Sequence, residues 1–220
     1  MFRSAAPTCE KRVKTLSYHG TGGFLQPEYK VCKNPLNFNG GIMNIWHDIS
    51  ASAIAPERFE AVIEIPKGSK AKYELDKSTG MLRLDRILYT STVYPANYGF
   101  IPRTLAEDGD ALDVLVLSSE PILPMTLVTC APIGLLKMVD GGTADEKVIA
   151  VALCDPTYKD YDSVSALPRH VLDEMAHFFG VYKALEHKET AVEQLLSASE
   201  AREVVSRGVS AYNLKFGESK

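Results

Sequence analysis

The chain has 220 residues and a mass of 24.2 kDa, room for one sizeable domain with its own core but not comfortably for two. Hydrophobic residues make up 45% and charged residues 24%, which argues against a disordered chain or a membrane class; no apolar run nears the roughly 18 residues of a membrane helix, and the first residues lack the apolar core of a secretory signal. A net charge of −4 argues against a protein whose main task is to neutralise nucleic-acid phosphates, because that affinity comes from a surplus of Lys and Arg.

Residues 1–55 read as an N-terminal extension, with Gly20, Gly22, Gly23, Pro27, Pro35, Gly40 and Gly41 punctuating a segment of no sustained periodicity. Arg3, Lys11, Arg12 and Lys14 stand against one acid, Glu10, so the segment is either an arm lying on the domain or an organelle transit peptide. Cys9, Cys32, Cys130 and Cys154 are scattered, without a C-x-x-C pair or a histidine at zinc spacing. Reduced thiols and a cytoplasmic location are therefore expected, with organelle import as the alternative.

A single folded domain is expected over residues 56–220. Short strands are predicted at 59–65, 71–76, 82–88, 112–117, 126–138 and 147–153, most of them too close in sequence for crossover helices. That spacing favours an antiparallel sheet or barrel over a doubly wound sheet. After Pro168 the period changes to about 3.6, with Val171, Leu172, Met175, Phe178, Phe179 and Tyr182 on one stripe. Ser197 and Glu200 have the spacing of a capping box that opens a last helix. The fold class is thus mainly β with α.

The most informative stretch is D-G-D-A-L-D at 108–113, three carboxylates in six residues just before an apolar strand. Like charges a few ångströms apart raise one another's pKa, so such a cluster either binds a divalent cation or is a solvated turn. Convergence of Asp108, Asp110 and Asp113 on one ion requires a bend, which Gly109 permits. An EF-hand fails, because Leu112 stands where its third oxygen ligand belongs.

A second acidic group spans 140–147, with Asp140, Asp145, Glu146 and Lys147 around two glycines, and reads alone as a hairpin loop. Lys72, Glu74 and Asp76 share a strand face. Arg86 shares parity with Leu82 and Leu84, which makes it either an anion ligand or an internal ion-pair partner of Glu64 or Glu74. Tyr94 and Tyr98, in Y-P-A-N-Y-G-F-I-P, are fixed hydroxyl donors or core packing. Tyr182 and Lys183 are ligands or a favourable helix C-terminus.

Taken together, Glu64 in V-I-E-I-P, Lys72 and Glu74 in K-Y-E-L-D, Arg86 in L-D-R, Y-P-A-N-Y-G, D-G-D-A-L-D and K-M-V-D-x₄-D-E-K resemble family I soluble inorganic pyrophosphatases. The resemblance covers residues from about 58 to 185, and W-H-D-I at 46–49 is similar to the lead-in of eukaryotic members. Two positions depart from it: Ala111 replaces the proline of D-x-D-P-x-D, and Gly141 replaces a second acid after Asp140.

The resemblance implies a five-stranded OB-type β-barrel with flanking C-terminal helices and hydrolysis of pyrophosphate with several Mg²⁺ per active site, Mn²⁺ or Zn²⁺ substituting. It implies Asp108, Asp110, Asp113, Asp140 and Asp145 as metal ligands, with Glu64 and Glu74 acting through water. It assigns catalysis to Asp110 as general base with Asp108, Asp113 and Tyr98, and substrate binding to Lys72, Arg86, Tyr98, Lys147, Tyr182 and Lys183. A homo-oligomer is expected, with pyrophosphate as substrate and neither nucleic acid nor membrane as partner. An OB-type binding module and a degenerate, non-catalytic homologue are the alternatives.

Overall fold

The computed structural model describes residues 44–217. The expected extension therefore lies, up to residue 43, outside the described residues, as do Cys9 and Cys32. The described part opens with a single turn, α1 (Ile45–Asp48), where Asn44 Oδ1 accepts the Trp46 N–H at 3.1 Å. The Trp46 ring is buried, and its indole N–H donates to the Thr104 carbonyl at 2.9 Å.

Nine strands follow: β1 (Ile54–Ala55), β2 (Arg58–Ile65), β3 (Ala71–Asp76), β4 (Met81–Ile87), β5 (Asn97–Ile101), β6 (Leu112–Leu117), β7 (Leu127–Asp140), β8 (Thr143–Ala152) and β9 (Thr190–Ser197). Seven form one sheet in the order β1-β2-β5-β6-β8-β7-β9, and a further β2–β7 pairing closes β2, β5, β6, β8 and β7 into a ring. This is a five-stranded barrel of the OB type, with β1 and β9 added at its rims. The β3–β4 hairpin forms a separate two-stranded sheet.

The expectation of an antiparallel barrel is corrected at one pair. β6 and β8 run parallel, in the register Asp113↔Lys147 to Leu117↔Val151. The crossover that a parallel pair needs is here a strand rather than a helix: β7 returns antiparallel to β8 and reaches across to β2 to close the ring. Three strands also escape the sequence reading: the two-residue β1, β5 and β9.

β6 is apolar on both faces because both are covered. Val114 and Val116 pack with Ala201, Val204 and Val205 of α3 (Ala198–Phe216). Leu115 and Leu117 pack with Met175, Phe178 and Phe179 of α2 (Arg169–Val181). The predicted helical stripe and capping box are both present: Ser197 Oγ accepts the Glu200 N–H while the Glu200 carboxylate accepts the Ser197 N–H. No helix among the described residues is long and apolar enough to cross a membrane.

Gly99 shows how tightly the barrel is drawn. A Cβ there would stand 1.8 Å from the Val62 carbonyl oxygen on β2, beside the register shift between Ile63 and Ile65. Backbone cannot yield as a flexible side chain does, so Gly99→Ala should destabilise the protein by about 3 kcal/mol or more. Urea unfolding measures this, and a loss below about 1 kcal/mol would show that the strands separate freely.

Candidate active site

The three segments singled out in the sequence converge on one cavity of about 400 Å³. Asp108 and Asp110 come from the turn before β6, where Gly109 takes a φ of +88° and Asp108 Oδ1 accepts the Asp110 N–H at 2.9 Å. Asp113 projects from β6, and its register partner on β8 is Lys147. Asp140 ends β7 and Asp145 lies on β8.

The expected loop over 140–147 is corrected to a two-residue hairpin turn. Asp140 pairs with Thr143, and Gly141 and Gly142 take φ of +57° and +86°. Positive φ at both central residues matches the twist of the flanking strands, which is the geometry glycine favours. The turn thus explains the departure at Gly141: it is a backbone requirement as well as a missing acid. The departure at Ala111 has a consequence too, since its N–H donates to Asp110 Oδ1 at 2.6 Å and proline has no such donor.

Lysines face these acids. Lys147, 3% exposed, donates to Asp113 at 2.6 Å and to both Asp145 oxygens at 2.9 and 3.0 Å. Burial alone would lower its pKa, but the Asp113 and Asp145 charges outweigh it and hold the ammonium protonated. Lys183 pairs with Asp140, and the Tyr182 hydroxyl donates to the same oxygen at 3.2 Å. Burial opposes ionisation of Asp140, but the bond from Lys183 overcomes it and lowers the pKa.

Tyr98 donates to Asp113 Oδ2. Burial first, and then the Asp113 and Asp145 charges, raise its pKa well above the ordinary phenol value. The same causes act on Tyr182 through Asp140. Both phenols therefore remain hydroxyl donors.

Glu64 is buried at the cavity wall, where one oxygen accepts the Leu75 N–H at 2.7 Å. Burial, with the Asp113, Asp110 and Glu74 charges added, pushes its carboxyl up to about 8 despite that bond. Lys72 and Glu74 pair with each other on β3 and also line the cavity.

Arg86 is the exception among the expected residues: it does not line the cavity. Its Nε pairs with Glu186 at 2.7 Å and its Nη1 with Asp85 at 2.5 Å, so the expected internal partners, Glu64 and Glu74, are not the ones used. The apolar face inferred from Leu82 and Leu84 does not exist as core, since Leu84 is 53% exposed. Nη2 is buried without a hydrogen-bond partner among the described residues. Arg86 stands opposite Lys72 in the hairpin register, close to the rim of the site. Among the lining residues that sequence reasoning did not assign to the site are Lys77 and Trp46, the latter named only within W-H-D-I.

Among the described residues no three His, Cys, Asp or Glu side chains stand together as a ready cage for a metal. The carboxylates instead meet lysine ammonium groups. The donor set still fits Mg²⁺, which keeps several waters and takes one or two carboxylates plus phosphate oxygens rather than an all-protein cage. Every candidate ligand offers a hard oxygen, and the Asp113, Asp110 and Glu74 charges that add to burial in raising Glu64 are ones a cation would relieve.

The family model described as inorganic pyrophosphatase matches residues 61–213. Soluble inorganic pyrophosphatase 2 of Chlamydomonas reinhardtii is 51% identical over 175 residues, 80% of this chain and 91% of that protein. The soluble inorganic pyrophosphatase of Zea mays is 50% identical over 167 residues, 76% of this chain and 78% of that protein. The crystal structure of the inorganic pyrophosphatase from Thermus thermophilus aligns with a TM-score of 0.75 at 40% identity, covering 78% of this chain and 99% of that one. The chain belongs to the inorganic pyrophosphatase family.

Proposed function

We propose that the cavity hydrolyses inorganic pyrophosphate to two orthophosphates with the help of several Mg²⁺ ions, for which Mn²⁺ or Zn²⁺ can substitute. One observation carries this reading: five aspartates from two separate segments share a single cavity with Lys147 of the second segment and with Lys72, Lys183, Tyr98 and Tyr182 from other elements. Pyrophosphate is a compact polyanion, and its hydrolysis needs charge neutralisation and an activated water. Membership of the family names the substrate.

Asp108, Asp110 and Asp113 would hold two ions and Asp140 and Asp145 a further one, with Glu64 and Glu74 contributing through water. Bound there, the ions would neutralise phosphate charge and acidify the attacking water. Asp110 suits the role of general base because its side chain is 56% exposed and so open to water. Asp113 suits it less, since its side chain is only 30% exposed and its Oδ2 accepts from Tyr98 and Lys147.

Lys72, Lys147, Lys183 and Tyr182 would grip phosphate oxygens, and Tyr98 would donate its hydroxyl proton in a hydrogen bond as the leaving phosphate gains charge. Arg86 would meet a terminal phosphate only by turning from Asp85 and Glu186, because as it stands it lies outside the cavity lining with Nη2 buried. A nucleic-acid-binding barrel would instead present a basic groove with aromatic stacking platforms, and the acidic lining speaks against it.

Asp110→Asn should keep the thermal midpoint near that of wild type while lowering kcat for phosphate release by about 10²-fold or more. Wild-type turnover in that variant would refute the role of Asp110.

A second expectation follows from Glu64. In chelator-treated protein the native state keeps a Glu64 proton up to about pH 8, whereas the unfolded chain releases it near 4.5. The unfolded state binds fewer protons between these values, so stability falls as pH rises through that window. Glu64→Gln should remove this slope when denaturant midpoints are compared at pH 5 and pH 8. Parallel pH profiles for the two proteins would contradict the buried-acid assignment.

A further inference from the structure

Lys77 lines the same cavity but has no role so far. It sits in the turn between β3 and β4, and that turn is held from within. Asp76 Oδ1 accepts the Ser78 N–H at 3.0 Å, and the Asp76 carbonyl accepts the Gly80 N–H at 2.7 Å, with Gly80 at a φ of +70°. Lys77 is therefore presented from a fixed backbone position. Its ammonium pairs with Asp110 and lies 4.5 Å from the centroid of the Trp46 ring. Trp46 is itself fixed, 6% exposed and bonded to Thr104.

The pair cannot be explained by stability. Its side chains are 37% and 56% exposed, and ion pairs this open to water contribute little. The aromatic face beneath the ammonium instead favours a defined location for it. Among the described residues, only this pair and Arg86–Glu186 tie the β3–β4 hairpin to the rest of the domain through ions.

We propose that Lys77 is a positioning residue for Asp110: seated over Trp46, it aims the carboxylate into the cavity and shifts over the ring, still beside Asp110, when Asp110 takes a divalent ion. This rests on the reading of Asp110 as a metal-holding base. A doubly charged ion at Asp110 repels the ammonium, so its place over the ring must change on loading. Trp46 is the one tryptophan in the sequence, and its emission reports that change.

The test titrates Mg²⁺ into the chelator-treated full chain, following Trp46 emission and the heat of binding in parallel, and then measures pyrophosphate turnover. Wild type should show an emission change that saturates with the heat. Lys77→Met, which keeps the apolar stem and removes the charge, should still bind Mg²⁺ within about threefold, a shift on the scale of a surface charge. It should lose most of the emission change, and its kcat should fall by about tenfold with KM within about twofold, as for an interaction made in the transition state. Lys77→Arg should recover most of both.

Wild-type emission change or wild-type kcat in Lys77→Met overturns the proposal and leaves the hydrolytic function standing. Loss of Mg²⁺ binding together with a lowered thermal midpoint marks a structural role and overturns it as well. A wild-type chain that neither binds Mg²⁺ nor releases phosphate overturns the functional reading itself, and the proposal with it.

Discussion

Like-charge repulsion governs this molecule. Asp108, Asp110, Asp113, Asp140 and Asp145 line one cavity together with Glu64 and Glu74, a gathering of like charges that calls for cations to balance it. Three lysines answer the aspartates: Lys147 against Asp113 and Asp145, Lys183 against Asp140, and Lys77 against Asp110. Glu64 has no lysine partner among the described residues, and burial, with the neighbouring charges added, pushes its carboxyl up to about 8. On the proposed function, the fold's task is to bring these groups together and leave space for a ligand that would be both anionic and metal-bound.

The barrel meets that demand through two backbone devices. The parallel β6–β8 pair sets Asp113 beside Lys147, so the acid and its counter-ion belong to adjacent strands and do not depend on loop conformation. The Gly141–Gly142 turn lets β7 return directly into β8, placing Asp140 and Asp145 on the same side as Asp113. Residues on strands are held more firmly than residues on loops. Asp108 and Asp110 remain on the turn before β6.

Much of this was legible in the sequence, and the parts that were not have physical reasons. The 3.6-residue stripe of α2 and the capping box of α3 are local patterns, and both are present. β5 was hidden because Pro95 and Gly99 read as turn residues. Pro95 in fact precedes the strand, and Gly99 is demanded by the close approach of Val62. β9 lies at an edge of the sheet with most of its residues exposed, so it carries no alternating apolar signal. The parallel pair could not be read from spacing, since it depends on β7 bridging to β2. Arg86 was misplaced because shared parity with leucines was taken for an apolar face, and that face is open to solvent. Lys77 was missed because a lysine in a D-K-S-T-G turn is indistinguishable from an ordinary solvated charge. Only the fold brings Trp46 beneath it.

If oxygen ligands and lysines are arranged here to receive a metal-bound diphosphate, catalysis must depend on the metal as strictly as on the protein. The direct measurement is orthophosphate release from pyrophosphate by the purified chain across a Mg²⁺ series, beginning in chelator. Release should rise with Mg²⁺ to a plateau and be lost in chelator. Equal release in chelator and in Mg²⁺, or none at any Mg²⁺ concentration, would contradict it.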